Sequence, residues 1–252
     1  ILFPSPERAY RKNKSPVFTN TEKPSPERQF TRLQPSFTLL KTAFEQKALK
    51  IQQSPVGINP EFALVFEIIG DVDSFYTAVK NTDGLEWIFD SETEPFDPDD
   101  DFYQVNNKSG EKLADSLNGK LYCVMSNQQA MSQLLSLWQR HQNGETDVFK
   151  RGFAGLRDVF THIKDLRKWD ARDRIAETHA LDYWRESLEF DGNSSIPFEV
   201  ELFYRSDAVK RSNASETICH EIQSLEGRVI QECVIGEIFY HGMLVELPRA
   251  SI

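Results

Sequence analysis

Cysteine is scarce in this chain. Cys123, Cys219 and Cys233 are an odd number in 252 residues, with no Cys-x-x-Cys pair among them. That spacing excludes a disulfide framework and a thiolate zinc site, and it suits a reducing compartment. Long apolar runs are missing too: none reaches the roughly 20 residues needed to cross a bilayer. The opening ILFPSPERAYRKNK breaks at proline and turns basic too early for a signal peptide. There is no Gly-x-Gly-x-x-Gly and no P-loop, so nothing cradles a phosphate. Neither a Gly-x-Ser-x-Gly elbow nor a His-Glu-x-x-His helix occurs. Asn107, Asn193 and Asn213 head glycosylation-type triplets, which without export arise by chance. The expectation is a cytoplasmic chain with no membrane segment, cofactor or metal. No residue is assigned a catalytic, cofactor-binding or metal-binding role.

Basic residues are few and unevenly placed. The formal charge is −10, yet residues 1–60 hold 10 Lys/Arg against 4 Asp/Glu, so the remainder carries −16. An acidic body with a basic arm argues against a nucleic-acid-binding core. Binding through residues 8–50 stays as a minor reading, with a steep salt dependence as its mark.

What the chain does have is a core and a clear order of elements. Hydrophobic residues make up 39% and phenylalanine occurs 18 times. The anchor is KLYCVMSNQQAMSQLLSLWQRH, Lys120 to His141. Leu121 to Met125 read as a buried strand, and Ser126 with Gln129 has capping-box spacing. Met131, Leu134, Leu135 and Trp138 then share one helical face, and Asn143-Gly144 closes the helix.

Before the anchor, residues 1 to about 30 are rich in proline, serine and charge, with SPER at Ser5–Arg8 and again at Ser25–Arg28. A tail that drapes over its own domain is the expectation. Leu33, Phe37, Leu40 and Phe44 form one helical stripe, with Pro35 expected in the first turn. Phe62 to Ile69 and Leu85 to Phe89 read as strands. Between them lies a helix capped by Asp71 or Asp73, with Phe75 and Val79 inward. Asp90 to Asp101 carries seven carboxylates. Asp97, Asp99 and Asp101 alternate as in a calcium loop, but Phe102 stands in place of the turn glycine and Lys108 in place of the bidentate Glu. An exposed acidic loop is expected there.

After the anchor, residues 150–190 read as helical: Phe153, Leu156, Phe160, Ile163 and Leu166, then Leu181, Trp184 and Leu188. Phe198 to Tyr204 alternates as a strand. Ile218, Ile222 and Leu225 mark a helix, and Val229 to Ile235 and Phe239 to Leu247 are two more strands. This β-α-β-β run lacks the second helix and last strand of a split β-α-β unit, which suggests that the protein continues or has been cut here. His241-Gly242-Met243 superficially matches the His-Gly of a subtilisin motif, but it sits within the apolar strand FYHGMLVEL, where a half-buried strand histidine is expected.

The segments RLQPSFTLLKTAF, GINPEFALVFEIIGDVDSFYTAVKNTDGLEWIFDSE, LYCVMSNQQAMSQLLSLWQRHQ, FKRGFAGLRDVFTHIKDLRKWDARDRI, FEVELFYR and VIGEIFYHGMLVELP occur in that order over about residues 30–247. Together they resemble the long N-terminal region of a group of bacterial subtilisin-like serine peptidases (subtilase family). The resemblance implies a non-catalytic region ahead of a peptidase domain, often encoded beside an AAA-type ATPase and associated with plasmid competition and phage defence. The family's catalytic motifs, D-[ST]-G, HGT and GTS[MA], are absent, so no catalytic residue transfers to any position.

The expected fold is therefore α+β, with two ferredoxin-like (split β-α-β) units, the second incomplete, joined by amphipathic helices. The expected domains are residues 1–57, a basic arm with a docking helix; 58–149, the first unit; 150–195, a helical connector; and 196–252, a propeptide-like second unit. The expected function is to fold or restrain a subtilisin-like catalytic domain of the same protein and to dock an AAA-type ATPase. A stand-alone ferredoxin-like binding or sensor module is the alternative.

Overall fold

A computed structural model describes residues 19–52, 61–149, 152–169, 175, 179–190 and 195–248. The arm over residues 1–18, with the first SPER, lies outside them. The fold is α+β: among the described residues there are three antiparallel sheets and six α-helices.

The main sheet has four strands in the order β3-β6-β2-β7. They are β2 (Glu61–Ile69), β3 (Leu85–Glu92), β6 (Gly119–Asn127) and β7 (Ile163–Lys168). Strands β2 and β3 are consecutive but not adjacent, because β6 lies between them and is antiparallel to both. Helix α2 (Ser74–Lys80) makes the crossover. Helices α3 (Gln128–Gln142) and α4 (Ala154–His162) lead from β6 to β7.

One face of this sheet holds the principal core. Phe66, Phe75, Tyr122, Leu134, Trp138 and Phe160 are buried there, with the whole Leu33–Phe37–Leu40–Phe44 stripe of α1 (Pro26–Gln52). Phe37 stacks on Trp138, with ring centroids 4.8 Å apart. Gln29 donates through Nε2 to the Phe160 and Ile163 carbonyls at 3.0 and 2.8 Å, satisfying acceptors that the end of α4 would otherwise leave open. The stripe and this side-chain bond together fix α1 across the α4–β7 junction.

Several local expectations are corrected. Ile163 and Leu166 belong to β7, not to a helical connector. The β2–β7 register shifts between Glu67 and Ile68: Ile163 faces Ile68, Asp165 faces Glu67, and Lys164 is the extra residue. That bulge turns two residues three apart toward the same core, which imitates helical spacing. Pro35 does not lie in the first turn of α1 but well inside it, because the helix begins at Pro26. The second SPER supplies that start: Ser25 Oγ accepts from the Arg28 amide at 3.3 Å, Pro26 takes the first helical position and Glu27 follows.

The capping box is also displaced. Strand β6 runs on to Asn127, so Ser126 is a buried strand residue, and its hydroxyl donates to the Asn127 carbonyl. Asn127 is the cap of α3, accepting from the Ala130 amide at 2.8 Å. Gly84 packs beneath that cap at φ +83°, where an added Cβ would lie 2.3 Å from Asn127 Oδ1. Asp73 makes no side-chain cap for α2. Asp71 instead accepts from the Tyr122 hydroxyl at 2.6 Å and from Lys120 at 2.8 Å, which ties the β2–α2 turn to β6.

Five of the seven carboxylates of the acidic loop are exposed, as expected, while Asp99 and Asp101 are half-buried. The chain after the loop forms a small sheet with the N-terminal strand: β1 (Thr19–Glu22), β4 (Tyr103–Asn106) and β5 (Lys112–Leu113), in the order β1-β4-β5. Asp99 accepts from the Phe102 amide at 2.7 Å and the Asp101 amide at 2.8 Å, and it pairs with Lys164. Burial opposes its ionisation, yet Lys164 and the two amides hold its carboxyl below the usual range. Asp101 pairs with Arg28 of α1. The loop therefore clamps α1 and β7.

The second unit is a three-stranded antiparallel sheet of order β8-β10-β9 under one helix. Its elements are β8 (Ile196–Glu201), α6 (Ala208–Ser224), β9 (Arg228–Ile235) and β10 (Tyr240–Leu247). The first strand ends at Glu201, short of the expected Tyr204. Asp207 caps α6, accepting from the Val209 and Lys210 amides at 2.8 and 3.0 Å. Ile222, Met243, Val245 and Leu247 form the core between helix and sheet. Helix α5 (Ala180–Phe190) lies ahead of β8, with Trp184 edge-on to Phe198 at 5.1 Å.

Candidate functional site

The two units meet around one buried arginine. Residues 202–206 cross the rear face of the main sheet, where Phe203 and Trp169 cover Ala63, Cys123 and Met125. Arg205, its side chain only 8% exposed, is aimed at two carboxylates on β2 and β3, the strands that flank β6. It donates to Glu61 at 2.8 Å and to Glu86 at 2.6 and 3.0 Å, while Lys210 reaches the same pair at 3.4 and 3.2 Å. Burial opposes ionisation of Glu61 and Glu86. The hydrogen bonds and charge of Arg205, with those of Lys210, outweigh it and hold both carboxyls below the ordinary range. Glu86 points away from the main core, into this quartet.

Beside the quartet lies a cleft of about 840 Å³. On one side stand Tyr76 of α2 and Trp87 of β3, edge-to-face at 5.3 Å. On the other stand Tyr204, Ile238 and Phe239, with Phe239 edge-to-face on Tyr204 at 5.6 Å. Strand β3 is an edge strand, and among the described residues no strand pairs with its outer side.

Ile238 and Phe239 form the tip of the β9–β10 hairpin and are 66% and 69% exposed. Phe239 takes the left-handed conformation, φ 54° and ψ 34°. Ile230, Val234, Ile235 and Leu244 on the same hairpin are exposed as well, so the hairpin carries six of the twelve large exposed apolar residues among those described. Ile235 and Leu244 fall on the face away from α6, since they alternate with residues that pack under it.

One polar cluster has the residue types of a hydrolase. Ser215 of α6 donates to Glu232 Oε1 at 2.6 Å, and His241 Nε2 lies 3.0 Å from that oxygen and 3.2 Å from Ser215 Oγ. Sequence spacing gave no sign of it, because helix and hairpin bring residues 215, 232 and 241 together only in the fold. The geometry is not that of a nucleophile and base. A working triad uses opposite ring nitrogens for hydroxyl and carboxylate. Here both crowd Nε2, while His241 Nδ1 is buried without a partner. A protonated Nε2 is taken up by Glu232 and cannot accept the serine proton. His241 is fully buried, deeper than the structural strand histidine expected, and the cluster pins α6 to the hairpin.

His162 donates through Nδ1 to the Asp158 carbonyl, 2.6 Å away, at the end of α4, and His179 is an exposed neighbour of Asp182. The three cysteines are unbridged. Among the described residues no group of three or more His, Cys, Asp or Glu side chains is placed to hold a metal ion, and no helix is long and apolar enough to cross a membrane.

No protein-family model, curated protein or solved structure matches the chain. The class that fold and site define is an α+β protein whose most developed surface is an apolar hairpin beside an open sheet edge.

Proposed function

We propose that this chain is the non-catalytic regulatory and scaffolding region of a cytoplasmic subtilisin-like serine endopeptidase. On this reading it folds or restrains the peptidase domain and docks a partner AAA-type ATPase, in phage defence or plasmid competition. Both units are read as ferredoxin-like, which the β3-β6-β2-β7 order supports for the first. The observation that carries the reading is the exposed apolar hairpin, with Ile238 and Phe239 at its tip. Large apolar side chains gathered on one exposed element mark a surface made to be covered by another protein. The sequence resemblance supplies the identity of that protein.

The test is co-purification of the chain with a subtilisin-like catalytic domain and an AAA-type ATPase from the same genome. Wild type retains the catalytic domain, and the double variant Ile238→Ser/Phe239→Ser loses it while keeping its circular dichroism. A wild-type chain that retains neither protein sinks the proposal.

A further inference from the structure

We propose that the rear face of the main sheet is a recognition site for an extended segment carrying an aromatic residue and, two positions on, an arginine. The chain fills this site in cis with its own Phe203-Tyr204-Arg205, and a segment of the same chemistry in another protein is the occupant that displaces it. The site is separate from the hairpin tip, and the inference does not depend on which protein covers the hairpin.

The strap over the rear face is laid down as a bound peptide is. Residues 202–207 form neither helix nor strand. The Leu202 amide donates to the His241 carbonyl at 2.8 Å, which ties one end to β10, and Asp207 at the other end caps α6. Between these points the side chains alternate. Phe203 and Arg205 turn to the main sheet, while Tyr204 turns back to its own unit, against Phe239 and under the Arg211 guanidinium. That alternation is the mark of extended chain, in which side chains on one side repeat every second residue, about 7 Å apart.

Two pockets receive the strap. Phe203 lies over Ala63, Cys123 and Met125 and is edge-on to Trp169 at 6.4 Å, which is itself edge-on to Phe89 at 5.6 Å. The Trp169 amide donates to the Ala63 carbonyl at 2.8 Å and so fixes the wall of this slot. Arg205 enters the second pocket, between Glu61 and Glu86. Met125 is paired with Ala63 on one side and Glu86 on the other, so the apolar slot and the acidic pocket share a row of the sheet.

Charge is divided between the units in a way that defines the ligand. Both carboxylates belong to the main sheet, and Arg205 and Lys210, which answer them, belong to the second unit. Lys47, a main-unit lysine at Glu61, donates to that residue's main-chain carbonyl at 2.8 Å. With the strap lifted, the sheet offers two carboxylates beside an aromatic slot, and an incoming segment must restore the cation. Arginine fits because one planar fork serves both acids: Nε and Nη2 donate to Glu86 and Nη1 to Glu61. Lysine has no such fork. The two units keep separate cores, and the join between them is largely polar, as at the interfaces of separable domains.

The experiment uses the whole chain and a dye-labelled, capped peptide Leu-Phe-Tyr-Arg-Ser, followed by anisotropy and by amide chemical shifts. Wild type should bind it weakly, since the tethered strap competes at an effective concentration on the order of millimolar. Phe203→Ser/Arg205→Ser weakens the strap and leaves both pockets intact, and should bind the peptide at least about tenfold more tightly. Citrulline in place of the peptide arginine, or alanine in place of its phenylalanine, should weaken binding about tenfold or more. Should the double variant fail to fold, wild type at saturating peptide reads the same displacement. The Ser206 amide, which donates to Glu86 at 3.3 Å, then leaves its acceptor, and its resonance should move together with those of Ala63 and Met125. A folded double variant that binds no more tightly than wild type, equal binding of the citrulline peptide, or a Ser206 resonance unmoved at saturation would each overturn the inference. So would a concentration-dependent dimer that the same double substitution abolishes, because it would put the strap of a second copy on the rear face.

Discussion

Arg205 Nη2 lies 2.6 Å from Glu86 Oε2, joining residues 119 positions apart and tying the second unit to the edge of the main sheet. The arginine side chain is 8% exposed and its carboxylate partners Glu86 and Glu61 are 20% and 28% exposed. Arg205→Met keeps the length of the side chain and removes the charge. Two partly buried carboxylates then keep only Lys210 as a cationic partner. The expected loss is about 3 kcal/mol, the lower part of the range for breaking a buried pair. Urea denaturation followed by fluorescence measures it, and a loss under 1 kcal/mol would mean that the units are joined by other contacts.

The same quartet sets an acid limit. Folding lowers the pKa of Glu61 and of Glu86 below the ordinary carboxylate value, so each contributes stability that is fully present above that value. The contribution disappears as pH falls from the ordinary carboxylate value through the folded one. Wild type should therefore lose stability on acidification below about pH 4.5. In Arg205→Met, burial acts on the two carboxyls with little to oppose it, and this part of the acid loss should shrink. Paired urea midpoints from pH 7 to pH 3 decide it: parallel curves for the two proteins contradict the assignment.

Asn127, and not Ser126, should govern the start of α3. Asn127→Ala removes the acceptor of the Ala130 amide and is expected to cost about 1 kcal/mol. Ser126→Ala leaves the helix cap intact, and its effect should fall well below that. Thermal melts of the two variants side by side give the comparison, and a larger loss at Ser126 would restore the capping-box reading.

How much of this was legible beforehand depends on the range of the signal. The α1 stripe, the α3 stripe and the strands β2, β3, β6, β9 and β10 announce themselves, because each repeats its period over enough residues to be read. Strand β7 does not. The bulge at Lys164 sets Ile163 and Leu166 three apart, so a local pattern of helix stands for a long-range pairing with β2. Caps slipped by one residue for a related reason: how far β6 runs is decided by its partners, β3 pairing as far as Ser126 and β2 as far as Asn127. The candidate site was the least legible part. Glu86 and Arg205, or Trp87 and Phe239, carry no spacing that relates them. Of the hairpin tip, the sequence offered only the apolar pair Ile238-Phe239 after Gly236-Glu237, with Phe239 read as the first residue of a strand.

Ser215 should be chemically inert. A fluorophosphonate reports a serine activated by a free imidazole, and here His241 Nε2 is held by Glu232 while the Ser215 hydroxyl is given to the same carboxylate. Incubation with the probe, followed by intact mass, is expected to show no adduct on the chain. Covalent labelling that vanishes in Ser215→Ala would reinstate a catalytic role for the cluster.

Phe239 combines two costs that a residue of purely structural value would not carry. It is 69% exposed, and its backbone occupies the left-handed region at φ 54°. That region disfavours a residue with a Cβ by about 1 kcal/mol, whereas glycine enters it freely. The edge-to-face contact with Tyr204 returns only part of this, because so exposed a ring buries little area. Phe239→Gly is therefore expected to leave stability unchanged or raise it by up to about 1 kcal/mol, against the usual trend of large-to-small substitutions. The same variant should weaken capture of the catalytic domain by about tenfold, as for loss of a central aromatic anchor. Calorimetry and a binding titration on one preparation test both halves. A destabilised variant with unaltered capture would make Phe239 part of the scaffold and remove the hairpin tip from the docking surface.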